Sequence, residues 1–462
     1  MKNGRRILVV LCCLALVRTA GPATASVADE KELGRRFALQ AAAMPTVEDP
    51  AVVDLVRDIG ARLVETLGPQ PFDYRFQVVA NPTLNAFAVP GGNIWVFGGL
   101  VAQVSTVDEL ASVMGHEVGH VHGHHIVRQQ EQTQLWNYAS LLGLLLAAVQ
   151  PVLGAGAMAA AQAAALKYSR AFEEEADYLG LKFMHDAGYE TKAMPAFFKK
   201  VLSAQRLNPT SIPPYLLTHP LTEDRIAHVE TSLSTVDRAP RPPAPDRTRD
   251  LEEAQAVLLS SGDAPDTVAA KYEQRAAAAP KDGFAQYLLG VVYATTGRFD
   301  AAMTAFDRTR QLGGAGVRLP LRVAAIHLRR GHADAARAVL EPYVAAHGND
   351  AYARGLLGQA LLAVGEEDKA VAQLEASVAL DPTLAESYRL LGLTYGRAGR
   401  EGDAFYCLGK AFALRGKLNE ALIQYVRAKD LLGESDPRTP EITIAIEDLT
   451  EIVGPTRGRP GR

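Results

Sequence analysis

At 462 residues the chain is longer than one average core, so two or three domains are expected. A formal net charge of −4 and a pI near 6.3 exclude an electrostatic nucleic-acid binder. Hydrophobic residues make up 48% and charged residues 22%, a globular balance that excludes a disordered or fibrous chain.

The N-terminus reads as a targeting segment. Lys2, Arg5 and Arg6 precede an apolar run from Ile7 to Val17, and Ala23-Thr24-Ala25 supplies a small-x-small cleavage site. That order predicts a secretory signal peptide over residues 1–25, cut after Ala25. The apolar run is short for a membrane span. Cys12 and Cys13 leave with the signal, so the mature chain keeps Cys407 alone and has no internal disulfide. Cys407 falls in an apolar helical stretch and reads as a small core residue.

Residues 26–235 mix helical periodicity with short strands. Asn85 to Phe97 alternates, carries β-branched and aromatic residues, and is broken by Pro90-Gly91-Gly92, which predicts a hairpin. If its first strand is unpaired, Asn85, Ala86, Phe87 and Ala88 can bind an extended peptide through main-chain hydrogen bonds; an ordinary hairpin is the plainer reading. Thr106 and Glu109 form a capping box, which predicts a helix from about Val107 that runs past His125.

That helix carries GHEVGHVHGHH, Gly115 to His125. Positions i and i+4 share a helical face, so His116 and His120 aim at one point. Two neutral imidazoles suit Zn²⁺, and Glu117 beside them can take a proton from water at the metal. A third ligand is needed. A metzincin would have a histidine at position 126, which is Ile126, and no Met-turn follows. On a continuous helix His124 lies about 12 Å along the axis from His116. His122, His124 and His125 are therefore read as helix-end and surface groups. Downstream, Glu173 and Asp177 form an i, i+4 pair in YSRAFEEEADYLGLKF. Glu173 can reach the metal and Asp177 can hold a ligand imidazole, although consecutive acidic residues more often mark a solvated face.

Ser140 to Leu166 is nearly free of charge and long enough to span a bilayer. Gln150-Pro151 and Gly154-Ala155-Gly156 interrupt it, which favours two buried or lid-forming helices with at most peripheral membrane contact. Residues 236–250, rich in Pro and charge, read as an extended linker. Residues 251–453 are helical and repeat at a fixed period. Gly290, Ala324, Gly358 and Gly392 lie 34 residues apart. Gly297, Gly331, Gly365 and Gly399 keep the same spacing, as do Ala302, Ala336, Ala370 and Ala404, and Phe306, Leu340, Leu374 and Leu408. This resembles the tetratricopeptide repeat, in which small residues let paired helices approach and glycine turns the chain. Gly409, Gly416 and Ala421 continue the pattern by a half-register, so one or two further helices are expected. Such a solenoid has a concave face that holds a peptide or protein, unless it is a plain spacer.

Taken together, HEVGHVHGHH and SRAFEEEAD resemble the H-E-x-x-H…E-x-x-A-D pattern of the gluzincin family that includes the HtpX and CAAX prenyl endopeptidases. NAFAVPGGNIWVFGGL resembles that family's edge-strand segment, and His219, Pro220 and Arg225 match its H-P-x-x-x-x-R motif. The resemblance implies a mainly α protein, with a zincin-type α+β metallopeptidase domain containing a small sheet and an all-α tetratricopeptide solenoid behind it. It implies one Zn²⁺ per chain, with Glu173 as third ligand and Asp177 behind the ligands. It implies Arg225 as a catalytic, site-shaping or transition-state-stabilising cation, and His219 as an inhibitory fourth ligand. The expected function is an exported, periplasmic endopeptidase acting on unfolded or stalled polypeptides, with the repeats contacting the outer-membrane protein assembly machinery. A chaperone or scaffold with a latent protease site, or an integral membrane peptidase, are the alternatives.

Overall fold

The computed structural model describes residues 26–41, 44–133, 169–207, 213–236, 241–314 and 318–453; the signal segment and residues 140–166 lie outside them. Two helices open the described chain, α1 (Val27–Ala41) and α2 (Pro50–Glu65). A three-stranded sheet follows, β1 (Arg75–Val79), β2 (Ala86–Val89) and β3 (Asn93–Phe97), in the order β1-β3-β2. The expected hairpin is present: β2 and β3 pair antiparallel around Pro90–Gly92, and β1 joins β3 in parallel. Gly91 and Gly92 both have positive φ, 80° and 88°, which is why this tight turn takes glycine.

The sheet rests on α3 (Gly98–Gln103) and α4 (Val107–His122), and α5 (His125–Thr133) leaves α4 at a sharp break. The N-terminus of α4 is capped as expected, with the Thr106 hydroxyl accepting from the Glu109 N–H at 3.1 Å. Across α4 packs α6 (Arg170–Asp186), followed by α7 (Ala193–Leu207), α8 (Pro214–Thr218) and α9 (Glu223–Ser232). Three glycines set the α4–α6 distance. A Cβ on Gly119 would lie 2.8 Å from the Ala176 carbonyl oxygen, and one on Gly180 would lie 3.0 Å from the His116 nitrogen. Gly115 faces the Gly180 backbone in the same way. The two helices therefore touch backbone to backbone.

Of the Pro-rich stretch, residues 241–247 form neither helix nor strand and are strapped down, and its last three residues already belong to a helix. Ala244 N–H donates to the Gly188 carbonyl at 2.8 Å, and Arg247 pairs with Asp58 at 2.5 Å. Helix α10 (Thr248–Ser260) then packs on α2, and its Leu251, Ala254 and Val257 share one core with Val52, Leu55 and Ile59. The array proper runs α11 (Pro265–Ala278), α12 (Gly283–Thr295), α13 (Phe299–Leu312), α14 (Leu319–Arg329), α15 (Ala333–Ala346), α16 (Ala351–Ala363), α17 (Glu367–Leu380), α18 (Ala385–Arg397), α19 (Glu401–Leu414), α20 (Leu418–Leu432) and α21 (Thr439–Val453). A Cβ on Gly290 would meet the Phe306 ring at 2.4 Å, and Gly358 faces Leu374 and Gly392 faces Leu408 in the same way. Gly409 repeats the contact against Tyr425, so α19 serves as second helix of one pair and first helix of the next. That double use explains the half-register. Cys407 is buried within the array, and burial pushes its thiol up to about 12.

Candidate metal centre

The close approach of α4 and α6 places Glu173 and Asp177 opposite His116 and His120, and α8 ends at His219 on the same point. One ligand atom from each of His116, His120, Glu173 and His219 lies within 4.8 Å of the other three, a grouping that can hold a metal ion. All four are buried. His116 Nε2 is 3.0 Å from His120 Nε2 and 3.2 Å from His219 Nδ1, and His219 Nδ1 is 3.0 Å from Glu173 Oε1. Two or three imidazoles and a carboxylate are the donor set of a zinc site.

Around the four stands a second set of contacts. His116 Nδ1 lies 2.8 Å from Asp177 Oδ1. Arg225, on the first turn of α9, donates from Nε and Nη2 to the two Asp177 oxygens at 2.7 and 2.8 Å, and its Nη1 is 2.5 Å from Glu173 Oε2. Burial opposes ionisation of Glu173 and Asp177, but Arg225, aided by the histidines, outweighs it and holds both carboxyls below their ordinary range. Burial pushes the His120 imidazole well below its ordinary value, which keeps it neutral. At His219 burial acts in the same direction, and Glu173 with Glu117 overrides it to raise the value. Glu117 is buried too. Among the described residues neither of its oxygens has a hydrogen-bond partner, and Oε1 lies 3.5 Å from His219 Nε2.

β2 is an outer strand of the sheet, with β3 on one side and no other strand beside it among the described residues. Ala86, Phe87 and Ala88 lie on it, with Asn85 just before it, and Ala88 and Val89 line a small hollow with His120.

Two expectations need correction. The histidine helix does not run past His125. It ends at His122, and His124 takes φ 53°, a left-handed conformation that turns the chain before α5. His125 is consequently not a surface group. It is fully buried, with Nδ1 2.9 Å from His120 Nδ1, and burial pushes its imidazole down to about 4. His122 and His124 are half-buried; His124 Nδ1 lies 2.8 Å from Glu30 of α1. Glu30 and the glycines at 119 and 180 carry no signal of their role in the sequence, and His125 is read there as a helix-end or surface group. Gly123 was the available signal, since glycine just after a periodic run marks a helix end.

Residues 53–233 match Peptidase family M48, and residues 285–308 match the tetratricopeptide repeat. The chain is 28% identical over 418 residues to the Beta-barrel assembly-enhancing protease of Yersinia pestis, covering 81% of this chain and 86% of that one. It is 35% identical over 190 residues to the Putative beta-barrel assembly-enhancing protease of Vibrio cholerae, covering 39% of each. It is 37% identical over 148 residues to the Mitochondrial metalloendopeptidase OMA1 of Arabidopsis thaliana, covering 32% of this chain and 29% of that one. The latter two alignments span well under half of the relatives concerned. The family match encloses the whole cluster, from His116 to Arg225. The chain is a metalloendopeptidase, with a peptidase family M48 domain followed by tetratricopeptide repeats.

Proposed function

We propose that His116, His120 and Glu173 hold one zinc ion, that His219 is its fourth ligand in this resting arrangement, and that Glu117 is the general base of peptide hydrolysis. The observation that carries this reading is Glu117 itself: a carboxylate buried beside the cluster, 3.5 Å from His219 and with no hydrogen-bond partner among the described residues. Bound zinc supplies Lewis acidity, which activates water and polarises the scissile carbonyl. Glu117 takes the proton of the attacking water and delivers it to the leaving amine. Asp177 orients His116, and Arg225 orients Asp177 and Glu173. With its donors committed to those carboxylates, Arg225 acts on the ligands rather than on substrate. The outer edge of β2, from Asn85 to Ala88, docks substrate as an added strand.

His219 Nδ1 packs against the ligands while Nε2 faces Glu117, so the histidine occupies the place where water would be activated. This supports a latent protease that is released when His219 moves. The repeats are the partner-binding part. A cleft of about 710 Å³ between α2 and the array, lined by Asp54, Asp58, Tyr287, Arg318, Tyr343 and Asp350, supports that role. With the signal segment and the printed function of the relatives, the reading becomes an exported periplasmic protease that acts on outer-membrane β-barrel proteins during assembly. No helix among the described residues is long and apolar enough to cross a membrane. Casein cleavage by wild type, Glu117→Gln and His219→Ala tests it. Glu117→Gln is expected to fall by at least about 10²-fold and His219→Ala to exceed wild type. Undiminished cleavage by Glu117→Gln excludes the base assignment. No cleavage by wild type or by His219→Ala favours a scaffold. Proteins co-purifying with Glu117→Gln from the envelope then identify the clients.

A further inference from the structure

We propose that His125 is a positioning residue of the metal centre: its Nδ1 accepts the proton of His120 Nδ1 and so fixes the tautomer and ring plane that turn His120 Nε2 toward the metal. The inference rests on the metal-centre reading above.

His120 has one nitrogen on each side of its role. Nε2 lies 3.0 Å from His116 Nε2 and 3.4 Å from Glu173 Oε1, inside the cluster. Nδ1 faces away and lies 2.9 Å from His125 Nδ1. Two imidazole nitrogens at that distance share one proton, with one ring donating and the other accepting. A nitrogen that binds metal carries no proton, so a His120 that binds through Nε2 carries its proton on Nδ1 and is the donor. His125 must then accept through Nδ1 and carry its own proton on Nε2. That nitrogen is 3.4 Å from Glu175 Oε2, and Arg128 Nη1 holds the same carboxylate at 3.0 Å. His116 is served in parallel by Asp177, through the same ring position. Each ligand histidine thus has its own outer partner, a carboxylate for one and an imidazole for the other.

The chain is shaped for this contact. Position 123 has no room for a side chain, because a Cβ there would lie 2.3 Å from His125 Nε2. The left-handed turn at His124, φ 53°, carries the following residue back toward the end of α4. Phe172, the neighbour of Glu173 on α6, stacks on the His125 ring at 4.8 Å and 16°. The ring is held by packing on its face and by nitrogen contacts at both edges. A histidine that only filled space would need the face contact alone.

The test is metal affinity of the full mature chain, stripped and titrated with Co²⁺ alone and with Zn²⁺ against a chromophoric chelator. His125→Asn and His125→Leu are close in size and both delete the ring, but Asn keeps an acceptor near the Nδ1 position. The expected result is Zn²⁺ affinity 10–100-fold weaker in Leu, with altered Co²⁺ visible bands, and affinity and bands in Asn close to wild type. Equal affinities for Asn and Leu overturn the proposal, whether both are normal or both weakened. His125→Ala replaces Leu as the acceptor-free variant if Leu does not fold. His116→Ala is the control: loss of metal there with Leu unaffected defeats this inference alone, whereas unchanged affinity in His116→Ala defeats the metal-centre reading itself.

Discussion

A buried carboxylate without a hydrogen bond costs about 1–3 kcal/mol or more, and among the described residues Glu117 has only the 3.5 Å contact to His219 beside the cluster. Asp177 and Glu173 are treated differently, because Arg225 hydrogen-bonds Asp177 and pairs with the charge of Glu173. Replacing Arg225 by Met leaves two buried carboxylates uncompensated. The expected cost is about 3–5 kcal/mol in a chemical denaturation curve, with weakened metal binding. A loss under 1 kcal/mol would show that the guanidinium is not what holds those groups ionised. At this scale the chain is readable where spacing alone decides. His116 and His120 share a face by i, i+4 geometry with Glu117 beside them, whereas spacing left Glu173 and Asp177 open and the resemblance of the motif pointed to them. His125 was unreadable because its burial depends on a single left-handed residue, and a regular helix sends it elsewhere.

Helix pairing rests on missing side chains, in the peptidase domain and in the array alike. Gly290 faces the Phe306 ring, which is fully buried and has nowhere to retreat. Ala at 290 gains about 0.5–1 kcal/mol in helix propensity but adds an overpacking cost of about 1–3 kcal/mol, so net destabilisation is expected. Phe306→Leu should relieve it, making the double variant more stable than the sum of the two single losses. Strict additivity would mean that the two positions do not touch. The array was the most legible element, since a 34-residue period fixes helix, turn and partner together. The α4–α6 contact was harder to read: nothing in Gly119 or Gly180 names the helix opposite.

The whole molecule is closed by charge across α2. Asp49 meets Arg322 at 2.5 Å, Asp54 meets Arg318 at 3.1 Å, and Arg57 meets Asp381 at 2.6 Å. Arg36 of α1 reaches Glu451 of α21 at 2.7 Å, so the first and last described helices touch. Burial opposes ionisation at Asp49 and Asp381, but Arg322 at Asp49, and Thr383 with Arg57 at Asp381, hold both carboxyls below their ordinary value. A depressed carboxyl contributes stability that is complete above its unfolded value, near pH 4, and is lost as pH falls through the folded value. Asp54, which burial pushes up, works the opposite way. Urea midpoints measured from pH 7 down to pH 3 should therefore fall in wild type, and fall less in Asp49→Asn, which begins lower. Parallel curves would remove Asp49 from the account. This docking could not be read from the sequence, because an Asp on one helix and an Arg some 270 residues later share no local pattern.

A single metal held by His116 and His120 of α4, Glu173 of α6 and His219 just after α8 is tested most directly by zinc per chain. Full-length mature wild type and Glu117→Gln, dialysed free of loose metal, should each retain one zinc. Glu173→Ala and His120→Ala should retain little or none. Equal zinc in all four chains, or none in folded wild type, would contradict the account.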